Sequence, residues 1–331
     1  MIETQSERTT STWPRLGLEE WAATQTTVQR WTQIVGKTRL AFAPMENHWW
    51  QVVLYVTDRG LTTSPIPYDD GRTFDVSFDF IDHKLITQTS DGDVRLLPLV
   101  PQSVADFYGE YMSMLRSLGI EVKIRPVPME MPDTLRFTED RINASYDPDA
   151  VHRFWQVLVH ADRVLKEFRA QFIGKSSPSH FWWGGFDLAC TRFSGRPAPR
   201  YAGVIPNCPD YVMLEGYSHE CISAGFWPGN IGGPVTEPSF YAYSYPEPPG
   251  YDAAPMRPEG AYYHQVMREW ILPYETARTS AEPEQALLEF LQSTYAAGAD
   301  RANWDRKALE RPADWTPPPS AARGVNKGTA N

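Results

Sequence analysis

The chain has 331 residues, 42% hydrophobic and 22% charged, which is enough apolar surface for a core shared by two domains of ordinary size. Its formal net charge of −10 argues against nucleic acid or an anionic membrane surface as the main partner. Three cysteines, Cys190, Cys208 and Cys221, with no C-x-x-C pair, exclude a disulfide framework and a cysteine-rich zinc site.

The opening Met1-Ile2-Glu3-Thr4 has no apolar stretch of the signal-peptide kind, and no segment approaches the roughly 18 apolar residues of a spanning helix. A reducing cytoplasm with no membrane partner is the expected setting. Residues 1–14 read as a polar, disordered lead ending in Trp13-Pro14. Leu18 to Val35 carries Leu18, Trp21, Val28, Trp31 and Val35 near the helical period, with Gly36 as the expected C-cap. Strand character follows at Thr38–Phe42, Trp49–Thr57, Phe74–Phe80, Lys84–Thr89 and Val94–Leu97. Within these, Phe74, Val76, Phe78 and Phe80 alternate with polar residues, as in a half-buried antiparallel strand. Pro101 to Leu118 reads as a helix ended by Gly119.

A second series then begins. Asp149 to Phe172 is amphipathic and is followed by Gly174-Lys175, as Gly36-Lys37 follows the first helix. His180-Phe181-Trp182-Trp183 answers His48-Trp49-Trp50, and a strand over Leu214–Ser223 answers Phe78–Thr87. Pro258 through Trp270 is expected to form a helix like the one after Pro101, and Glu284 to Ala297 a last one. Ordered matches at a near-constant offset predict an α+β protein of two tandem, divergent copies of a helix and antiparallel-sheet unit, related by a pseudo-two-fold axis. The copies span residues 15–140 and 141–309, followed by a disordered Pro-rich tail over 310–331. The second copy alone has long Gly/Pro-rich loops, Ser194–Asp210, Gly225–Ser239 and Tyr245–Gly260, and is the expected seat of a site.

The run Ser177-Pro178-Ser179-His180-Phe181-Trp182-Trp183-Gly184, the run Thr191-Arg192-Phe193-Ser194-Gly195-Arg196, Tyr217-Ser218-His219-Glu220 and Phe226-Trp227-Pro228-Gly229 together resemble a bacterial family, domain of unknown function 5996. The likeness extends to Asn47-His48-Trp49-Trp50 and covers nearly the whole folded region, with Gln51 standing where relatives carry histidine. It implies fold boundaries and brings no activity, substrate or cofactor.

Gly36-Lys37-Thr38 and Gly174-Lys175-Ser176 invite a phosphate-loop reading, but Trp31 and Arg169 stand where the first glycine belongs, and the order is helix to strand rather than strand to helix. Helix capping is the better account. No G-x-S-x-G, H-E-x-x-H or G-x-G-x-x-G occurs. The candidate catalytic residues are His219, Glu220, His180 and Asp187, because histidine exchanges protons near neutrality when a carboxylate orients it. Glu215 lies nearby, about 13 Å from His219 along an extended strand. An aromatic content of 13%, with 12 tryptophans, suits either a ring-rich core or an aromatic-walled pocket. Candidate binding residues are Trp182, Trp183, Arg192, Phe226, Trp227, Tyr241 and Tyr243. The expectation is an enzyme acting on a small organic molecule, with Trp227 and Tyr251 on the loops around its site. A non-catalytic binding or interaction protein and a structural subunit are the alternatives. Metal, cofactor and oligomeric state stay open.

Overall fold

The computed structural model describes residues 13–312 and 314–315. In chain order α1 is Leu18–Phe42, followed by a 3-10 turn at Asn47–Val52. Six strands come next: β1 Tyr55–Val56, β2 Gly60–Thr62, β3 Ile66–Pro67, β4 Thr73–Asp79, β5 Lys84–Thr89 and β6 Val94–Pro98. Helices α2, Val104–Ser117, and α3, Pro148–Ala170, lead into β7 His180–Trp182 and β8 Asp187–Pro197. Then come α4 Asp210–Gly216, β9 His219–Trp227, β10 Ser239–Tyr245, β11 Tyr262–His264 and β12 Glu269–Pro273. Three helices finish the series, α5 Tyr274–Arg278, α6 Pro283–Arg301 and α7 Arg306–Leu309.

Two antiparallel sheets result. The first runs β1-β2-β4-β5-β6 with β3 also on β4, and the second runs β11-β12-β10-β9-β8-β7. Their first strands meet edge to edge, where Leu54 and Phe181 exchange backbone hydrogen bonds of 3.0 and 2.9 Å. The strict alternation at 74–80 forms β4, with Phe74, Val76 and Phe78 buried. α3 opens on Asp147, whose side chain accepts from the Ala150 amide, and α2 on Ser103, which accepts from the Asp106 amide; Pro101 lies before the helix. The second sheet lays one face, with Leu188, Ile222, Phe226 and Phe240, into the core, where β8 and β9 contact α3 and β10 contacts α6.

Several local expectations change. Gly36 does not cap α1, which continues six residues further through the expected strand 38–42. The reason is steric: a Cβ at Gly36 would overlap the Trp183 indole, so the glycine admits a ring and the helix passes on. Gly174 is likewise not a cap, since α3 stops at Ala170. The expected strand at 214–223 divides into the end of α4 and the start of β9, and the expected helix at 258–270 is β11 and part of β12. Aromatic residues there favoured extended pairing over the helix suggested by the proline. Trp13, expected in the mobile lead, is 2% exposed and stacks on His160 at 5.0 Å. Glu310 and Arg311, expected in the tail, pair with Phe172 and Gln171. The rest of the expected lead and tail, at 1–12, 313 and 316–331, lies outside the described residues.

Candidate functional site

The other face of the second sheet looks across an open space toward α1 and α4. It is the floor of a cavity of about 880 Å³. Alternation along the strands places Asp187, Ala189, Thr191 and Phe193 of β8, Cys221, Ser223 and Trp227 of β9, and Tyr241 and Tyr243 of β10 on that face. Trp49, Trp50, Trp182 and Trp183 also line it, so five of the 12 tryptophans face the cavity.

The roof comes from the first half of the chain. Residues one helical turn apart on α1, Gln25, Gln29, Gln33 and Lys37, form a polar stripe. Gln25 donates to the Gly229 carbonyl at 2.8 Å, Gln29 to Gly184 at 2.9 Å, and Gln33 both donates to and accepts from the Met129 backbone at 2.9 and 2.8 Å. Three loops around the cavity are thereby pinned to one helix. Lys37, the fourth member, is 7% exposed and has no hydrogen bond or ion pair among the described residues. Its Nζ stands 5.6 Å from the Trp183 ring centre. Burial first, then the charge of Arg125, pulls its amine down to about 8.

Three carboxyls share the space. Glu130 sits on the loop held by Gln33 with φ +59°, and Asp187 follows Phe186, which has φ +63°. Both are left-handed positions that L-residues adopt only under restraint. The turn Trp183–Phe186 joins β7 to β8, and its glycines leave room for the acids: a Cβ on Gly184 would collide with the Glu130 carboxyl. A Cβ on Gly185 would stand 2.7 Å from Asp187 Oδ1 and 3.8 Å from Glu130 Oε2. Both carboxyls therefore border the space in front of Gly185. Tyr241 donates its hydroxyl to Asp187 Oδ2, and Tyr217 donates to the Tyr243 hydroxyl at 2.9 Å. Glu269 on β12 is the third acid.

None of these three acids is in an ion pair among the described residues, whereas Asp133, Asp79, Glu220 and Glu247 are each paired with an arginine. Each keeps some accessible surface, but that surface looks into the cavity, and protein encloses the rest. Burial accordingly raises Asp187 to about 7, against the Tyr241 hydrogen bond that lowers it. Burial and then the Asp187 charge raise Glu130 to about 7 and Glu269 to about 8.

At the far end His48, 4% exposed and with φ +56°, lines the cavity. Its amide donates to Glu215 Oε1 at 2.8 Å, and its Nδ1 lies 3.2 and 3.1 Å from the Glu215 and Gly216 carbonyls. Two carbonyls require Nδ1 to carry the proton, so Nε2 accepts from Lys175 Nζ at 2.7 Å. Burial and the Lys175 charge both hold this imidazole below its ordinary value.

The residues singled out from the sequence divide. Asp187, Trp182, Trp183, Trp227, Tyr241 and Tyr243 line the cavity. His180, Glu220, Arg192, Phe226 and His219 do not. His180 is 1% exposed among Trp50, Tyr55 and Trp182, with burial pushing its imidazole down to about 3, too low for exchange at neutrality. Glu220 points to the opposite face of β9 and accepts from Ser194 and Arg196 at 2.9 and 2.8 Å. Arg192 is a core residue: its guanidinium lies 3.4 Å from the Phe168 ring centre and 4.2 Å from that of Tyr295, and burial lowers it to about 10. Phe226 packs on Phe240 and Tyr274. His219 opens β9, bonded to Ser218 at 3.1 Å, with its ring 5.7 Å from that of His48. Tyr251 is buried beneath α6 beside Gly298. Lys37, Glu130 and His48 were missed because the site was sought in the second half alone, and Glu269 because its segment was read as a helix rather than β12. The glutamine spacing on α1 and the Gly184-Gly185 pair were the signals available.

Among the described residues no group of three or more His, Cys, Asp or Glu side chains could hold a metal ion, and no helix is long and apolar enough to cross a membrane. No curated protein and no solved structure matches the chain. The model of a family of unknown function, DUF5996, matches residues 13–311, which span both sheets, α1 and every cavity residue named above, and the chain belongs to that family.

Proposed function

We propose that the chain is an enzyme that takes a small organic molecule into the aromatic-walled cavity and moves a proton on it with Glu130 and Asp187. The observation that carries this is the pair of carboxyls bordering the Gly184-Gly185 turn, neither in an ion pair among the described residues. Burial raises each toward neutrality, and the Asp187 charge raises Glu130 further, so near pH 7 either can hold or release a proton. Tyr241 occupies Asp187 Oδ2 and leaves Oδ1 for the substrate. The tryptophans supply stacking area and the tyrosines hydroxyls for orientation.

Two broader features belong to the same reading. Each half runs helix, antiparallel sheet, helix, and the first strands of the two sheets meet at Leu54 and Phe181. Duplication of one unit accounts for this order, with the second sheet keeping a free face for the site. A reducing cytoplasm accounts for Cys190, Cys208 and Cys221 as free thiols.

The test is untargeted mass spectrometry of a small-metabolite extract incubated with the wild type, with Glu130→Gln and with Asp187→Asn. The wild type should deplete a compound at least about 100-fold faster than either variant, in line with loss of a general acid or base. Equal depletion by all three proteins would refute the acid–base role. Binding without depletion by any of them would move the protein to the non-catalytic reading.

A further inference from the structure

The stripe on α1 contains the strongest unexplained group. Gln25, Gln29 and Gln33 each satisfy a loop backbone, whereas Lys37, next in the same row, is 7% exposed, lines the cavity and bonds to nothing among the described residues. The contrast with Lys175, whose amine is held by His48 at 2.7 Å, is direct. The amine faces the cavity with no hydrogen-bond acceptor among the described residues, and enclosure by protein favours the neutral form with its free lone pair. Burial and then the Arg125 charge favour that form, and they outweigh the Glu130 and Cys208 charges and the Trp183 face, which favour the ammonium.

We propose that Lys37 is a nucleophile that condenses with the carbonyl carbon of an aldehyde or ketone bound in the cavity. This deepens the proposed function, on which it rests, by naming the substrate class. The Nζ lone pair forms the C–N bond as the C=O π bond breaks, and one proton passes from nitrogen to oxygen. The carbinolamine hydroxyl then leaves as water, taking a proton from the Glu130 carboxyl. What remains is a protonated imine, which can return its proton to Glu130; no oxidant or reductant is consumed. An amine near 8 is neutral in about a tenth of molecules at pH 7, against fewer than about one in a thousand for an ordinary lysine.

The experiment is reductive trapping on the full chain at pH 7, with benzaldehyde as carbonyl probe and cyanoborohydride as hydride donor. Labelling of the seven lysines is mapped by peptide mass spectrometry. Lys37 should be labelled at least about tenfold faster than Lys84 and Lys166, and Glu130→Gln should slow Lys37 labelling alone. Benzyl alcohol, which cannot form an imine, reports occupancy of the cavity separately through tryptophan fluorescence. Quenching by benzyl alcohol with Lys37 labelled no faster than Lys84 would overturn the imine and leave the cavity reading standing. Neither quenching nor selective labelling would overturn both. Lys37→Met should abolish the fast adduct while benzyl alcohol still quenches, and a fast adduct persisting elsewhere in that variant would also count against the proposal.

Discussion

Replacing Asp187 with asparagine should stabilise the protein at alkaline pH relative to its effect in acid. The wild-type carboxyl moves from 3.8 in the unfolded chain to about 7 in the fold, chiefly through burial. Because the folded value is the higher, the folded state holds the proton more tightly. The stability gained from that proton is complete below about pH 4 and is lost as the pH rises to about 7. At about 1.4 kcal/mol per pH unit the full displacement corresponds to about 4 kcal/mol, of which about 2–3 kcal/mol falls between pH 5 and pH 8. Water reaching Oδ1 through the cavity and proton sharing with Glu130 and Glu269 reduce this to about 1–2 kcal/mol.

Asparagine keeps the shape and has no charge to desolvate, so the difference in unfolding free energy between variant and wild type isolates this one group. Urea denaturation of both proteins at pH 5 and pH 8 measures it. The variant should gain about 1–2 kcal/mol on the wild type over that interval, or about 2–4 °C in Tm. A difference that stays constant with pH, or grows in the opposite sense, would falsify the account of Asp187 as a buried, uncompensated acid.

Gly36→Ala places a methyl group into the Trp183 indole, whose Nε1 donates to the Val52 carbonyl at 2.7 Å. Overpacking of about 1–3 kcal/mol against a helix-propensity gain of about 1 kcal/mol gives a net loss of up to about 2 kcal/mol in urea denaturation, with a changed tryptophan emission. A stabilised variant would show that the glycine is not there for the ring. Arg192→Ala removes a guanidinium packed between Phe168 and Tyr295 and should cost on the order of 3 kcal/mol of stability. Benzyl alcohol quenching by the folded fraction should be unchanged, since the residue lies behind the floor of the cavity; weakened quenching would return Arg192 to the site.

The parts legible in the sequence are those with strong local periodicity. The alternation of Phe74, Val76 and Phe78 and the apolar stripe of α3 appear as β4 and a capped helix at nearly the expected bounds. The tyrosine row was legible as a face, and Tyr241 and Tyr243 line the cavity. What failed were positions whose local signal is overridden from far away. Gly36 carries a turn residue's propensity, yet its place is set by Trp183, 147 residues later. His180 and His219 have the right chemistry, but strand order and the edge contact at Leu54 place one in the core and the other at a strand end. Lys37 and Glu130 meet Asp187 only through the packing of α1 over the second sheet, and no spacing in the chain encodes that.

The cavity itself constrains the class of function. Its volume of about 880 Å³ is that of a small-molecule site, and the space opens to water rather than being a sealed void. Glutamines fix the loop backbones, tyrosines present hydroxyls, and three acids and an amine stand outside any ion pair among the described residues. Filling the space with apolar side chains would be the simpler route to stability. It has instead been held open by one helix of the first half laid across the free sheet of the second, with the unsatisfied groups of both facing the same interior. That arrangement fits the uptake of a small organic molecule proposed above.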